Sequence, residues 1–301
     1  MNRFEEMETF VRIVDAGSIT RAAEIMDTVK SAVSKRLSEL EKRLQVTLLN
    51  RTTRKQTLTE SGKSYYQQCL KIMDDVKELE NSLRNEHCAL SGNIKIAAPL
   101  SFGITHLSPA LIKFMELHPD IKLDMDFNDR KIDLIEEGFD IAIRISNLND
   151  STMIARKITQ TRILLCASPE YIKNHGLPKS PNDLKQNHVK LRYQTAPDYW
   201  SFKDQNDKKF NIKLPSRMIS NNGQFLSQAA IEGQGMIMIP DFVVYKAVRL
   251  GQLVPLLTDY MQDYIVGAYA LYPQTRHLSR RVRSLVDFLF QYFGEKPYWQ
   301  L

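Results

Sequence analysis

Cysteine is scarce in this chain, three residues in 301, which excludes a disulfide scaffold. Cys69, Cys88 and Cys166 form no CxxC pair and no metal-ligand spacing, so all three read as ordinary thiols of a reducing compartment. The six histidines include no HExxH and no i, i+4 pair, and no metal site is expected. No apolar run approaches the ~18–20 residues that cross a bilayer. Met1-Asn2-Arg3-Phe4-Glu5-Glu6 carries acids where a secretory signal needs an apolar core, so a cytoplasmic protein is expected. Also missing are a G-x-S-x-G elbow, a Walker loop and a G-x-G-x-x-G turn. Gly233-Gln234-Gly235 is a bare GxG and reads as a turn before a buried strand. The acid pairs Asp74-Asp75 and Glu136-Glu137 read as solvated charges on helices. No catalytic residue and no cofactor is assigned, and the chain does not read as an enzyme.

What is present is the composition of a globular protein, 43% hydrophobic and 25% charged, long enough for two or three domains. The net charge is +6. Thr28–Thr57 alone holds eight bases and two acids, which equals the excess of the whole chain. Such a cluster is either a solvated basic face or a phosphate-binding footprint.

The surrounding pattern favours the footprint. Phe4, Met7, Val11 and Val14 recur on one helix face, and Gly17 stops that helix. Ser18 is a candidate N-cap for a short helix over Ile19–Met26, where Ala22-Ala23 permits close approach. A third helix spans about Val29–Leu44, with Val33, Leu37, Leu40 and Leu44 inward and Lys30, Ser31, Ser34 and Lys35 outward. Two short helices around a tight turn, the second polar outward, suit a major groove ~12 Å wide. Leu48–Leu58 reads as a basic hairpin, a wing whose Arg51, Arg54 and Lys55 meet phosphates.

These residues resemble the winged helix-turn-helix of the LysR-type transcriptional regulators. The resemblance is carried by Gly17-Ser18-Ile19-Thr20-Arg21-Ala22-Ala23-Glu24, Ser31-Ala32-Val33-Ser34, Leu40-Glu41, Leu48-Leu49-Asn50-Arg51-Thr52-Thr53-Arg54 and Leu58-Thr59-Glu60-Ser61-Gly62. Val29-Lys30 stands where Ser/Thr-Gln is usual, so Thr28 or Asp27 is expected to replace the cap, and Lys30 favours guanine or a phosphate over adenine. Gln45 stands where Gly is common. Candidate DNA contacts are Thr28, Lys30, Ser31, Ser34, Lys35 and Arg36 on the reading helix, with Arg51, Arg54 and Lys55 on the wing.

Thr59 is a candidate cap for the next helix, with Glu60 at its positive end. Tyr65, Cys69, Ile72, Val76, Leu79 and Leu83 then repeat at 4, 3, 4, 3 and 4, an a/d seam for helix pairing. An amphipathic helix packed on its own domain is the other reading. The resemblance implies a dimerising linker, and dimers reading an inverted repeat.

After Ser91-Gly92 short apolar strands alternate with helices, an α/β pattern with parallel strands expected. Strands are expected at Ile94–Ala98, Ile121–Phe127, Ile141–Ile145, Ile163–Cys166, Val189–Tyr193, Lys213–Ser220, Met236–Ile239 and Ile265–Leu271. Helices are expected at about Ile104–Leu117, Ile132–Glu137, Gly223–Glu232 and Arg280–Tyr292. The expected division is 1–60 winged helix-turn-helix, 61–90 linker helix and 91–301 a two-lobed effector-binding domain. Lobe 1 takes about 91–161 and 267–301 and lobe 2 about 162–266, with hinges near Arg162 and Val266. Asp133-Leu134-Ile135-Glu136-Glu137-Gly138-Phe139-Asp140-Ile141-Ala142-Ile143-Arg144, Ala167-Ser168-Pro169-Glu170-Tyr171 and Ile239-Pro240-Asp241 resemble the LysR-type effector domain, which has the periplasmic solute-binding (type II) fold.

In an open α/β sheet ligands bind beyond the strand carboxyl ends, where helix N-termini converge. Leu100, Ser101 and Phe102 lie in one strand-to-helix turn whose amides and Ser101 hydroxyl suit a carboxylate, and Asn222-Gly223 opens another helix. Trp200 and Phe202 offer an apolar wall or core packing, and Arg144 a counter-charge or an ion pair. The resemblance implies as partners double-stranded DNA, a small, often anionic, organic effector, further copies of the chain as dimer or tetramer, and RNA polymerase, with no membrane. A redox-sensing regulator is a further reading, in which Cys166 is the thiol within the sensor domain proper.

Overall fold

Gly17 at φ 70° ends the first helix and frees Ser18, in extended conformation, to accept a hydrogen bond from the Arg21 amide (3.1 Å), so α1 (Arg3–Ala16) and α2 (Ile19–Ile25) meet at a tight turn. In this computed structural model residues 2–51, 56–84, 89–130, 132–146, 153–204, 208–261, 264–273 and 278–301 are described. They divide into two units, one of residues 1–93 with 120–122 and 132–139, the other of the remainder.

In the first unit α3 (Lys30–Leu44) buries Val33, Leu37 and Leu40, with Leu44 half-buried, as the spacing requires. Its N-cap is Val29, which makes no side-chain cap bond. The expected replacement cap from Thr28 or Asp27 is therefore not seen; the Thr28 amide instead bonds to the Ala23 carbonyl (2.9 Å). At the other end Gln45 takes φ 56°, the left-handed position where glycine is cheaper, and Val46 N bonds back to Glu41 O (3.2 Å).

The α1 face differs from its expected stripe. Phe10 and Ile13 enter the core with Ile19, Ala22 and Ala23; of the expected four, Val11 is buried and Val14 packs half-buried on that core, while Phe4 and Met7 stay half-buried. Glu6 explains the rotation: it is buried, and Arg43 of α3 places both Nε (2.9 Å) and Nη2 (2.6 Å) on its Oε2. The wing strands β1 (Leu49–Arg51) and β2 (Gln56–Leu58) pair antiparallel, Leu49 opposite Leu58. Glu41 Oε1 accepts from the Leu48 (2.8 Å) and Leu49 (3.2 Å) amides, fixing where the wing begins. Helix α4 (Glu60–Arg84) starts at Thr59, whose Oγ1 accepts from Gly62 N (2.9 Å). The seam on α4 is divided: Cys69 is fully buried and Tyr65 packs on the unit's own core, whereas Ile72 and Leu79 are 41% and 62% exposed. The Leu83 side chain lies outside the described residues.

In the second unit a mixed sheet runs in the order 216–220, 190–193, 236–240, 153–167, 265–273, 141–146, 92–98 and 121–127, with 254–256 beside 153–167. Strand β3 (Gly92–Ala98) leads into a continuous helical run of α5 (Leu100–Phe102), a π-turn (Gly103–Leu107) and α6 (Ser108–Leu117), followed by β4 (Ile121–Phe127). In 132–139, which belong to the first unit, the helix expected at Ile132–Glu137 is instead one turn, closed by Asp133 accepting from the Ile135 and Glu136 amides (2.9 and 3.0 Å) and by Gly138 at φ 73°. β5 (Ile141–Ser146) runs parallel to β3. The strand expected to begin at Ile163 is one 15-residue strand, β6 (Met153–Ala167), antiparallel to β13 (Ile265–Pro273) over most of its length. The sheet is therefore mixed rather than parallel.

Between these two strands lie α7 (Pro169–His175), β7 (Lys190–Tyr193), a hairpin of β8 (Trp200–Lys203) and β9 (Lys209–Ile212), and β10 (Ser216–Ser220). Then come α8 (Gly223–Ile231), β11 (Met236–Pro240), α9 (Asp241–Arg249) and β12 (Val254–Leu256), and after β13 the chain ends in α10 (Arg280–Phe293).

His106, in the π-turn, is fully buried among Phe102, Phe242 and Trp299. Its Nε2 donates to Phe242 O (3.0 Å), since a carbonyl only accepts, and its Nδ1 accepts from the Tyr298 hydroxyl (2.6 Å). Burial drives its pKa down to about 4. The unfolded chain therefore binds this proton below the ordinary value near 6.5 while the folded one does not until about 4. Stability falls as pH drops through that window, by on the order of 3 kcal/mol for this group. His106→Gln should flatten that part of the pH–Tm curve; an unchanged slope would place the dependence elsewhere.

Candidate nucleic-acid interface and ligand cavity

On α3 the outward face carries Lys30, Ser31 and Lys35 exposed, with Thr28 and Ser34 half-buried beside them. Lys35, its side chain 76% exposed, reaches only to 3.9 Å from Glu39. Arg36 and Arg43 are engaged within the unit: Arg36 pairs with Glu5 of α1 (2.5 Å) and Arg43 with Glu6. Two of the eight bases counted in the sequence are thus offset by α1 acids. What α3 presents outward is Lys30 and Lys35 with small hydroxyls between, a surface for phosphates and base edges. Arg54 and Lys55, and the Arg51 side chain, lie outside the described residues.

In the second unit the ends of β3, β5, β7 and β11 surround a cavity of about 520 Å³, within the ~300–1,000 Å³ of small-molecule sites. Ser101, Phe102, Arg144, Trp200 and Gly223 line it, five of the eight residues expected from sequence. Ser101 faces Gly223 closely: a Cβ on Gly223 would lie 3.6 Å from Ser101 Oγ. The starts of the α5 run and of α8 therefore meet at the cavity, and the first amides of a helix are without intrahelical partners.

Three expected residues are not on the wall. Phe202 is fully buried in the core beneath Trp200, against Phe210. Asn222 is the α8 N-cap, its Oδ1 accepting from Phe225 N (2.9 Å). Leu100 is half-buried at the first position of α5 and absent from the lining. Sequence reading missed Asp129, Tyr193, Tyr199, Phe242 and Tyr264. For Phe242 a signal existed, since Ile239-Pro240-Asp241 marks another strand-to-helix turn, and for Asp129 the Asp129-Arg130 pair, which also resembles the family's effector domain.

The wall from Thr195 to Ser201 is tied down from β7. Lys190, fully buried, donates to Asp198 O (2.7 Å) and Oδ1 (2.9 Å), and Arg192 donates to Ala196 O (2.9 Å). Cys166 is fully buried in β6, and burial pushes its thiol up to about 12. A thiol held protonated lacks the thiolate character that oxidation needs. Among the described residues no three His, Cys, Asp or Glu side chains are grouped to hold a metal, and no helix is long and apolar enough to cross a membrane.

A helix-turn-helix unit with a basic outward helix, in one chain with a cleft-bearing α/β unit, defines a DNA-binding transcriptional regulator with a substrate-binding domain. The family models agree: the lysR-family bacterial regulatory helix-turn-helix matches residues 4–63 and the LysR substrate binding domain residues 89–294. The chain belongs to the LysR family of transcriptional regulators. It is 35% identical over 287 residues to an uncharacterized HTH-type transcriptional regulator of Haemophilus influenzae, covering 95% of this chain and 99% of that one. It is also 35% identical to an HTH-type transcriptional repressor of Pseudomonas aeruginosa, covering 100% and 95%. The solved structure of CrgA, a LysR-type regulator from Neisseria meningitidis, matches with a TM-score of 0.63 at 32% identity, covering 98% of this chain and all of that one. This is a family of DNA-binding regulators rather than enzymes.

Proposed function

We propose that the protein is a cytoplasmic, ligand-responsive regulator that binds promoter inverted repeats as a dimer or tetramer and takes a small carboxylate into the cavity. The observation that carries this reading is the meeting of two helix starts at Ser101 and Gly223 inside the cavity. Backbone amides and a hydroxyl there bind an anion without a buried counter-charge. The exposed Ile72 and Leu79 on α4 supply the pairing stripe, in a division at residues 60 and 90. Lys30 and Lys35 with the wing bases grip the duplex, and RNA polymerase is the further partner of this reading. Closure of the lobes about Arg162 and Val266 would shift the spacing of the reading heads, by no more than the ligand's preference for one arrangement.

Two measurements test this. Thermal-shift screening of small carboxylates should find stabilisation, and Ser101→Ala should weaken the confirmed ligand about 10-fold, as loss of a hydrogen bond to a charged group does. A wild-type response from Ser101→Ala would remove the carboxylate from this end of the cavity.

A further inference from the structure

Asp129 and Arg144 are the only charged side chains among the described residues that line the cavity. Arg144 reads from sequence as the counter-charge for an anionic ligand, but its fork is turned to the main chain. Nη2 donates to Arg130 O (2.9 Å) and Nη1 to Asn128 O (3.2 Å), the two carbonyls that flank Asp129. Asn128 N in turn bonds to Ala98 O at the end of β3 (2.9 Å). A planar guanidinium bonded on both sides of one residue fixes that residue's backbone. The acceptor so held on the cavity wall is the Asp129 carboxylate.

Facing it from β7 is the Tyr193 hydroxyl, which donates to Asn221 O (2.7 Å); burial and the neighbouring Asp129 push its pKa up. A carboxylate has about four acceptor sites, so the Tyr193 hydroxyl beside it leaves capacity for a ligand's donor. The remaining wall is rich in rings: Phe102, Tyr193, Tyr199, Trp200, Phe242 and Tyr264. Such walls favour planar ligands by offset or edge contacts.

We propose that Asp129 sets effector specificity, selecting an aromatic acid that also carries a hydrogen-bond donor, and that Arg144 is its positioning residue. The inference rests on the reading that the cavity holds an effector whose carboxylate lies at Ser101. It also disfavours a second carboxylate, which would meet Asp129 with like charge.

The test is calorimetric titration of the full-length chain with benzoate, its 2-, 3- and 4-hydroxy derivatives, and terephthalate. In the wild type the best hydroxybenzoate should bind about 10-fold more tightly than benzoate, and terephthalate should bind worst. Asp129→Ala should bring that hydroxybenzoate down to the benzoate level and leave benzoate unchanged, whereas Asp129→Asn, which keeps an acceptor, should retain part of the preference. Arg144→Gln should weaken that hydroxybenzoate by a larger factor than it weakens benzoate. A preference absent from the wild type, or intact in Asp129→Ala, overturns the proposal. Equal weakening of benzoate and hydroxybenzoate by Arg144→Gln makes Arg144 a counter-charge and overturns its positioning role. Failure of every compound to bind overturns the aromatic-acid class, while the cavity reading is judged separately by the wider carboxylate screen and Ser101→Ala.

Discussion

Reversing charge at Lys30 and Lys35 together, as Lys30→Glu with Lys35→Glu, should lower affinity for DNA from the gene's own upstream region about 10³-fold at ~0.15 M salt. Both side chains stand exposed on the outward face of α3. The nearby Arg36 and Arg43 cannot substitute, because Glu5 and Glu6 already hold them. In a dimer the double variant alters four contacts, and each phosphate contact contributes about 0.9 to the slope of log K against log salt. The slope should therefore fall by about 4 as well as the affinity. Charge reversal at Lys173, exposed on α7 of the other unit, should leave both unchanged. Undiminished binding by the Lys30/Lys35 variant, with its Tm retained, would remove α3 from the duplex.

Gly62→Ala should destabilise the N-terminal unit by about 3 kcal/mol. In an open helix the same change is favourable by roughly 1 kcal/mol. Here a Cβ would stand 2.0 Å from the Leu48 carbonyl oxygen and 3.0 Å from its carbon. That oxygen is held in place by the Thr59 amide (3.0 Å), and Thr59 Oγ1 is itself bonded to Thr47 O (2.7 Å). Backbone on both sides leaves nothing to yield, so α4 must lift from the base of the wing. Operator affinity should fall with stability, since Leu48 opens the wing. A neutral or raised Tm would show that the first turn of α4 does not pack against Leu48.

The helix-turn-helix was legible because its determinants are local. Gly17, Ser18 and the Val33, Leu37, Leu40 stripe act within a few residues of themselves, and all appear as expected. The α1 face was legible only in part: Val11 is buried and Val14 packs on the core as expected, but a buried Glu6 paired with Arg43 is a tertiary fact that periodicity of apolar residues cannot register. The same limit split the seam on α4: Tyr65 and Cys69 match a pairing heptad, yet Tyr65 packs on the unit's own core and Cys69 is fully buried within the chain. In the second unit strand positions followed alternation, but β6 was shortened because nothing local marks Met153–Arg162 as continuous with Ile163–Ala167. In the cavity Ser101 and Gly223 were found from strand-to-helix turns. Arg144 was found as a lining residue, but its bonds to carbonyls around Asp129 depend on a β4–β5 arrangement no motif encodes. Phe202 failed because alternation in β8 gives two inward positions, Trp200 and Phe202, and only the first reaches the cavity.

The most direct test of the regulator account is fluorescence anisotropy of the wild-type protein on its upstream region, titrated from about 50 to 300 mM salt. The account predicts tight binding at the low end and a linear fall in log K with a slope of about −4 or steeper, as four or more phosphate contacts require. No binding at the lowest salt, or a slope near zero, would contradict it.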